Sequence, residues 1–68
     1  MKKILFIEGM SCQHCVMAVK GELQEIDGVS TVDVDLESKT ATLQVDGVSD
    51  DILKKAVEEA GYKVIDIK

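Results

Sequence analysis

The stretch Thr31-Val32-Asp33-Val34-Asp35-Leu36-Glu37-Ser38-Lys39-Thr40-Ala41-Thr42-Leu43-Gln44-Val45-Asp46 decides the fold. It holds two runs in which apolar and polar residues alternate, with a polar tetrapeptide between them. Side chains on a strand change face at every residue, so strict alternation predicts a strand buried on one side. Val32, Val34 and Leu36 would face inward, with Thr31, Asp33 and Asp35 outward. Ala41, Leu43 and Val45 would face inward in the second run, with Thr42, Gln44 and Asp46 outward. Glu37-Ser38-Lys39-Thr40 then predicts the turn of a hairpin.

Working outward, the period changes on both sides. Upstream, Val16, Val19, Leu23 and Ile26 recur at helical spacing with polar residues between them, which predicts an amphipathic helix. Gly21 interrupts that helix at a cost of about 1 kcal/mol relative to alanine, and Gly28 is read as its C′ residue. Residues 3–8 precede it as a strand, with Leu5 and Ile7 on one face and Ile4 and Phe6 on the other. Downstream, Gly47 ends the hairpin. Ser49 suits an N-cap, and Asp50 and Asp51 suit the positive end of a helix dipole. Ile52, Leu53, Ala56, Val57 and Ala60 are the expected buried stripe of a second helix, closed by Gly61. Residues 62–67 form a last short strand. The order β-α-β-β-α-β predicts an α+β, split ferredoxin-like fold. Its four-stranded antiparallel sheet, in the order 4-1-3-2, carries two helices on one face. A single domain is expected over residues 1–68.

Composition limits what such a domain can do. The 68 residues include 46% hydrophobic residues, enough for a packed core but a small one. The formal net charge is −5, and all eight basic residues are lysines. Phosphate contacts need clustered positive charge, so neither nucleic acid nor an anionic membrane surface is an expected partner. No apolar stretch approaches the roughly 18 residues of a membrane span. The run Ile4-Leu5-Phe6-Ile7 stops at Glu8, short of a signal-peptide core. A cytoplasmic protein is expected. No acid–base pair or nucleotide motif suggests an enzyme.

The chemistry concentrates between the first strand and the first helix, in Gly9-Met10-Ser11-Cys12-Gln13-His14-Cys15. These residues hold both cysteines of the chain. A loop of this size closes too little of the unfolded chain for a disulfide to staple the fold. In a reducing compartment the pair reads as metal-binding or redox-active. Cys15 falls in the first helical turn, where unpaired amides and the dipole favour negative charge, so at least one of the two thiols is expected to have a lowered pKa. Two thiolates are too few for a closed zinc site. Soft thiolates select Cu(I), which accepts low coordination numbers. Such a site stays open to attack by a partner's thiolate, which suits transfer rather than storage.

Gly-Met-Ser-Cys-x-x-Cys between a strand and a helix resembles the heavy-metal-associated domain. Gln13-His14 and Gly61-Tyr62 extend the resemblance to small bacterial copper chaperones of the CopZ type. It covers the whole chain, and the motif is far more specific than a bare C-x-x-C. It implies that Cys12 and Cys15 ligate Cu(I), that Met10 packs under the loop and that Tyr62 lies near the site. The implied recipients are a copper-transporting P-type ATPase, through its metal-binding domain, and a copper-responsive repressor. Relatives that favour zinc or cadmium often carry an acidic residue beside the first cysteine. Ser11 stands there in this chain, which favours copper. Ag(I), Zn(II) and Hg(II) are further ions that the pair is expected to take in vitro.

Several residues keep two readings. His14 is a third ligand, a residue that tunes the site, or a solvent-facing side chain. Met10 is a thioether ligand or a core residue. Tyr62 covers the thiolates or is a half-buried strand residue. Ser11 is expected to cap the helix through its hydroxyl. Ile4, Phe6, Ile65 and Ile67 are expected together on the sheet face away from the helices, as a surface for weak self-association or as edge residues covered by the termini. A homodimer bridged by copper is also open. The carboxylates Asp33, Asp35, Asp50, Asp51, Glu58 and Glu59 read as solvated faces. The rival functions are a thiol-disulfide redox protein and the N-terminal metal-binding module of a transporter. The start at Met1 and the end soon after the last strand favour a free-standing protein.

Overall fold

A computed structural model describes all residues, Met1–Lys68. The chain runs β1 (Lys2–Glu8), α1 (Gln13–Gln24), β2 (Val29–Asp35), β3 (Thr40–Val45), α2 (Asp50–Glu59) and β4 (Lys63–Ile67). The strands form one sheet in the order β2-β3-β1-β4, and every neighbouring pair is antiparallel. This is the predicted order read from the other edge. No helix is long and apolar enough to cross a membrane.

Both helices cover one face of this sheet. Leu5, Ile7, Val32, Ala41, Leu43 and Val45 point from the strands into a single core with Val16, Val19 and Leu23 of α1, Leu53 and Val57 of α2, and Met10 of the connecting loop. Aliphatic side chains fill it, and no polar or charged side chain is buried. The amino terminus is tied in as well: its ammonium donates to the Val45 carbonyl at 3.0 Å, and the Val45 amide donates to the Met1 carbonyl at 2.8 Å.

The helix ends differ from expectation. α1 stops at Gln24, with Glu25 as C-cap, so Ile26 packs on the core from the following turn rather than from the helix. Gly28 is therefore not the C′ residue. It has φ +100°, and a Cβ there would stand 2.6 Å from the Asp46 carbonyl oxygen. Its role is the close approach of two backbones, sealed by a 2.8 Å bond from the Asp46 amide to the Gly28 carbonyl. Ser49 is the N-cap of α2 but makes no side-chain capping bond. Ile52 does not belong to the buried stripe: it is 48% exposed, while Leu53 and Val57, one turn apart, face the core.

The open face also differs. Phe6 pairs with Asp66, but Ile7 pairs with Val64, so Ile65 is the extra residue of a β-bulge. Paired residues share a face, so Leu5 opposite Ile67 and Ile7 opposite Val64 put both β4 side chains on the core side. Ile67 is thus removed from the expected apolar patch. Phe6 is partly covered in turn, with the Lys68 ammonium 5.5 Å from its ring centroid.

Candidate metal centre

β1 delivers the chain to the rim of the sheet at Glu8, and Gly9 turns it with φ +99°. Met10 then dives into the core and is only 2% exposed. This anchor leaves Ser11 and Cys12 on the surface. Cys12 is the N-cap of α1, with extended backbone (φ −154°, ψ 171°). Its carbonyl accepts the amides of Cys15 at 3.1 Å and Val16 at 3.3 Å, which starts the helix. Ser11 is therefore not the cap, and no side-chain capping bond is made at this end. The expected hydroxyl cap fails because the N-cap lies one residue further along.

The loop and the first helical turn bring the two thiols together. Cys12 Sγ and Cys15 Sγ are 3.5 Å apart, and both cysteines are free. Cys12 is exposed, and Cys15 is half-buried against the edge of the core. The Cys15 thiol is lowered from an ordinary 9.0 to about 6. The largest cause is the Ser11 backbone amide, followed by the Tyr62 hydroxyl and then Cys12. Each favours the charged thiolate over the neutral thiol. The expected shift is present, but specific donors around the sulfur account for it rather than the helix dipole alone. The neighbouring Cys15 in turn raises the pKa of Tyr62.

Tyr62 reaches this position from the other end of the chain. The turn from α2 to β4 is a Schellman motif: the Gly61 amide donates to the Glu58 carbonyl at 2.9 Å and the Tyr62 amide to Val57 at 3.1 Å. Gly61 supplies the left-handed residue, with φ +93°. His14, between the cysteines, is exposed. No group of three or more His, Cys, Asp or Glu side chains is placed to hold a metal ion. Cys12 and Cys15 are the thiols of the site, and Met10 is buried in the core. The one cleft, an open groove of about 640 Å³, runs between Gln13 and Asp33–Glu37 and is not lined by either thiol.

The heavy-metal-associated domain model matches residues 4–63. The chain belongs to this family. The copper chaperone CopZ of Staphylococcus aureus is 44% identical over 66 residues, an alignment covering 94% of this chain and 97% of that protein. Among solved structures, a CopZ metallochaperone superposes with a TM-score of 0.91 at 43% identity, covering 96% of this chain and all of that one. A copper-binding domain of a P-type ATPase superposes at 0.88 with 26% identity, covering 100% of this chain and 99% of the domain. The relatives named here are chaperones and metal-binding domains, not enzymes.

Two features of the site were not legible in the residues. One is the Ser11 amide as donor to Cys15, since a backbone group leaves no trace in residue type. The other is the surroundings of Gly9, which read only as the first residue of the cysteine motif. A Cβ on Gly9 would stand 3.3 Å from Tyr62 Cδ1. The positive φ of such a glycine is guessable from its place after a strand, but the ring that packs on it is not.

Proposed function

We propose that this chain is a cytoplasmic copper(I) chaperone whose Cys12 and Cys15 thiolates hold the ion and pass it to a partner. One observation carries the reading. Two free thiols stand 3.5 Å apart on an exposed junction, with no cluster of three or more His, Cys, Asp or Glu side chains to close around an ion. Soft thiolates select a soft ion, and Cu(I) tolerates two ligands. The naming of the Staphylococcus aureus relative as a copper chaperone supports the same ion. Ag(I) and Hg(II) fit the donors on the same grounds, and Zn(II) would need ligands from elsewhere.

Transfer is a ligand exchange without redox change. A thiolate of the partner bonds to the ion while both chaperone sulfurs still hold it, and one chaperone sulfur then leaves and takes up a proton or a hydrogen bond. The second exchange repeats the step. Cys15 is suited to leave, because the Ser11 amide and the Tyr62 hydroxyl receive its negative charge. The proposed recipient is the metal-binding domain of a copper-transporting P-type ATPase, a copper-responsive repressor being the alternative. The shared fold of this chain and an ATPase copper-binding domain supports the first, since like sites can exchange an ion at little free-energy difference. His14 is assigned to the solvent-facing rim, and Met10 to packing.

The close sulfurs and the lowered Cys15 thiol also fit a thiol-disulfide protein. Competition titration under strict reduction separates the two. Cu(I) should be taken from a calibrated chelator, in preference to Zn(II), and binding should collapse in Cys12→Ser and Cys15→Ser. Intact Cu(I) binding in either variant, or preference for Zn(II), sinks the proposal. Sedimentation with and without Cu(I) tests whether the ion bridges two chains.

A further inference from the structure

His14 and Met17 stand three positions apart in the first turns of α1. On a helix of 3.6 residues per turn their side chains leave the axis about 60° apart, with Cβ atoms about 5–6 Å from each other. Val16, Val19 and Leu23 mark the core side of α1. His14 and Met17 lie on the other side, and both are exposed, Met17 at 67%. Ala18 and Gly21 share that exposed side and are too small to cover the pair. The helix also carries the pair away from the thiols. Met17 leaves the axis about 160° round from Cys15, and His14 is not gathered with the two cysteines into a group that could hold an ion. Thioether sulfur selects soft ions such as Cu(I), and imidazole suits the same metals. A metal–nitrogen bond of about 2.0 Å and a metal–sulfur bond of about 2.3 Å reach about 4.3 Å in line, a span that the three rotatable bonds of a methionine can adjust to. Along the helix, the residues one turn from either donor are Gln13, Ala18, Lys20 and Gly21, with no carboxylate to draw a hard cation.

We infer that His14 and Met17 form a second metal site, an exposed two-donor clasp for a soft monovalent ion, Cu(I) or Ag(I). Neither donor carries charge, so the clasp holds the ion less tightly than two thiolates and fills after them. Its ligands are separate from the cysteines, so it stands whether or not the thiol pair carries copper. The probe is Ag(I), titrated into the full chain carrying Cys12→Ser and Cys15→Ser and followed by nuclear magnetic resonance. The Met17 methyl and the His14 ring protons should shift together, with one midpoint, while the sheet resonances stay in place. Met1 is an internal control, because it is a lone thioether exposed at 83%. Two weak donors joined on one rigid element bind more tightly than either alone, so Met17 should respond at Ag(I) concentrations at least about tenfold below those that move Met1. His14→Gln should bring the Met17 midpoint to that of Met1, and Met17→Leu should weaken the His14 response by a similar factor. Equal midpoints for Met17 and Met1, a His14 shift without a Met17 shift, or a Met17 midpoint unmoved by His14→Gln overturns the inference. If the doubly substituted chain does not fold, the unaltered reduced chain with one equivalent of Hg(II) on its thiols takes its place, and the same outcomes decide.

Discussion

Cys12 Sγ lies 3.5 Å from Cys15 Sγ, too far for a disulfide and too near for a straight metal bridge. With metal–sulfur bonds of about 2.3 Å, a straight bridge needs sulfurs about 4.6 Å apart. An ion entering this pair either bends or moves a sulfur. Cys12 sits on the exposed loop, and Cys15 is held in a helix and against the core. Cu(I) loading should therefore shift the backbone resonances of Gly9 to Cys12 and leave Val16 to Leu23 nearly unchanged. Larger shifts along α1 than in the loop would contradict this.

The Cys15 thiol, lowered to about 6 in the unaltered chain, can be followed by the pH profile of its alkylation in a Cys12→Ala background, where the contribution of Cys12 is removed. The midpoint should then lie somewhat above 6, since Cys12 is the third cause of the shift. Tyr62→Phe should move it further up, because a donor to the thiolate is lost. Ser11→Ala should leave it in place, because the largest cause is the Ser11 amide and not the hydroxyl. The linkage has a definite sign. The folded thiol titrates below the unfolded one, so the stabilisation is fully present above pH 9 and is lost as pH falls through about 6.

Met10 offers a sharp separation of packing from ligation. It is 2% exposed within the core. Met10→Leu conserves volume and should cost under about 1.5 kcal/mol in denaturant unfolding, with Cu(I) affinity unchanged. Met10→Ala should cost about 2–5 kcal/mol. Weaker copper binding in a folded Met10→Leu protein would assign the thioether to the ion after all.

Gly21 is the one glycine whose replacement should help. It sits inside α1, and a Cβ there would meet nothing within 4 Å. Gly21→Ala should stabilise the protein by about 0.4–1 kcal/mol, through higher helix propensity and a less flexible unfolded chain. In a domain of this size each kcal/mol raises the melting temperature by about 4–8 °C. A lowered melting point would mean that α1 is not helical at this position.

The residues carried the architecture because its cause is local. Alternation on either side of Glu37-Ser38-Lys39-Thr40 and the helical spacing of Val16, Val19 and Leu23 are consequences of one buried face per element. They are visible without knowing the partner element. The thiol pair was legible for the same reason, since Cys12 and Cys15 are joined by a single turn of chain. What failed was set by contacts across the sheet. Ile67 was expected on the open face from strict alternation in β4. The chain end is held by the reciprocal bonds of Ile4 and Lys68, at 2.9 and 2.8 Å, while the start is held by the Schellman motif at Tyr62. Between those anchors Ile65 has no partner and bulges, and Ile67 turns to the core.

The sequence by itself determined the order of elements, the inward faces of most strands and the place of both sulfurs, because each follows from periodicity or from residues a few positions apart. Only the tertiary structure decided what surrounds those sulfurs. The Tyr62 hydroxyl and the Ser11 amide act on Cys15 from separate parts of the chain. Such convergence depends on where the ends of β1, α1 and α2 meet at one rim of the sheet, and no local pattern of residues records that.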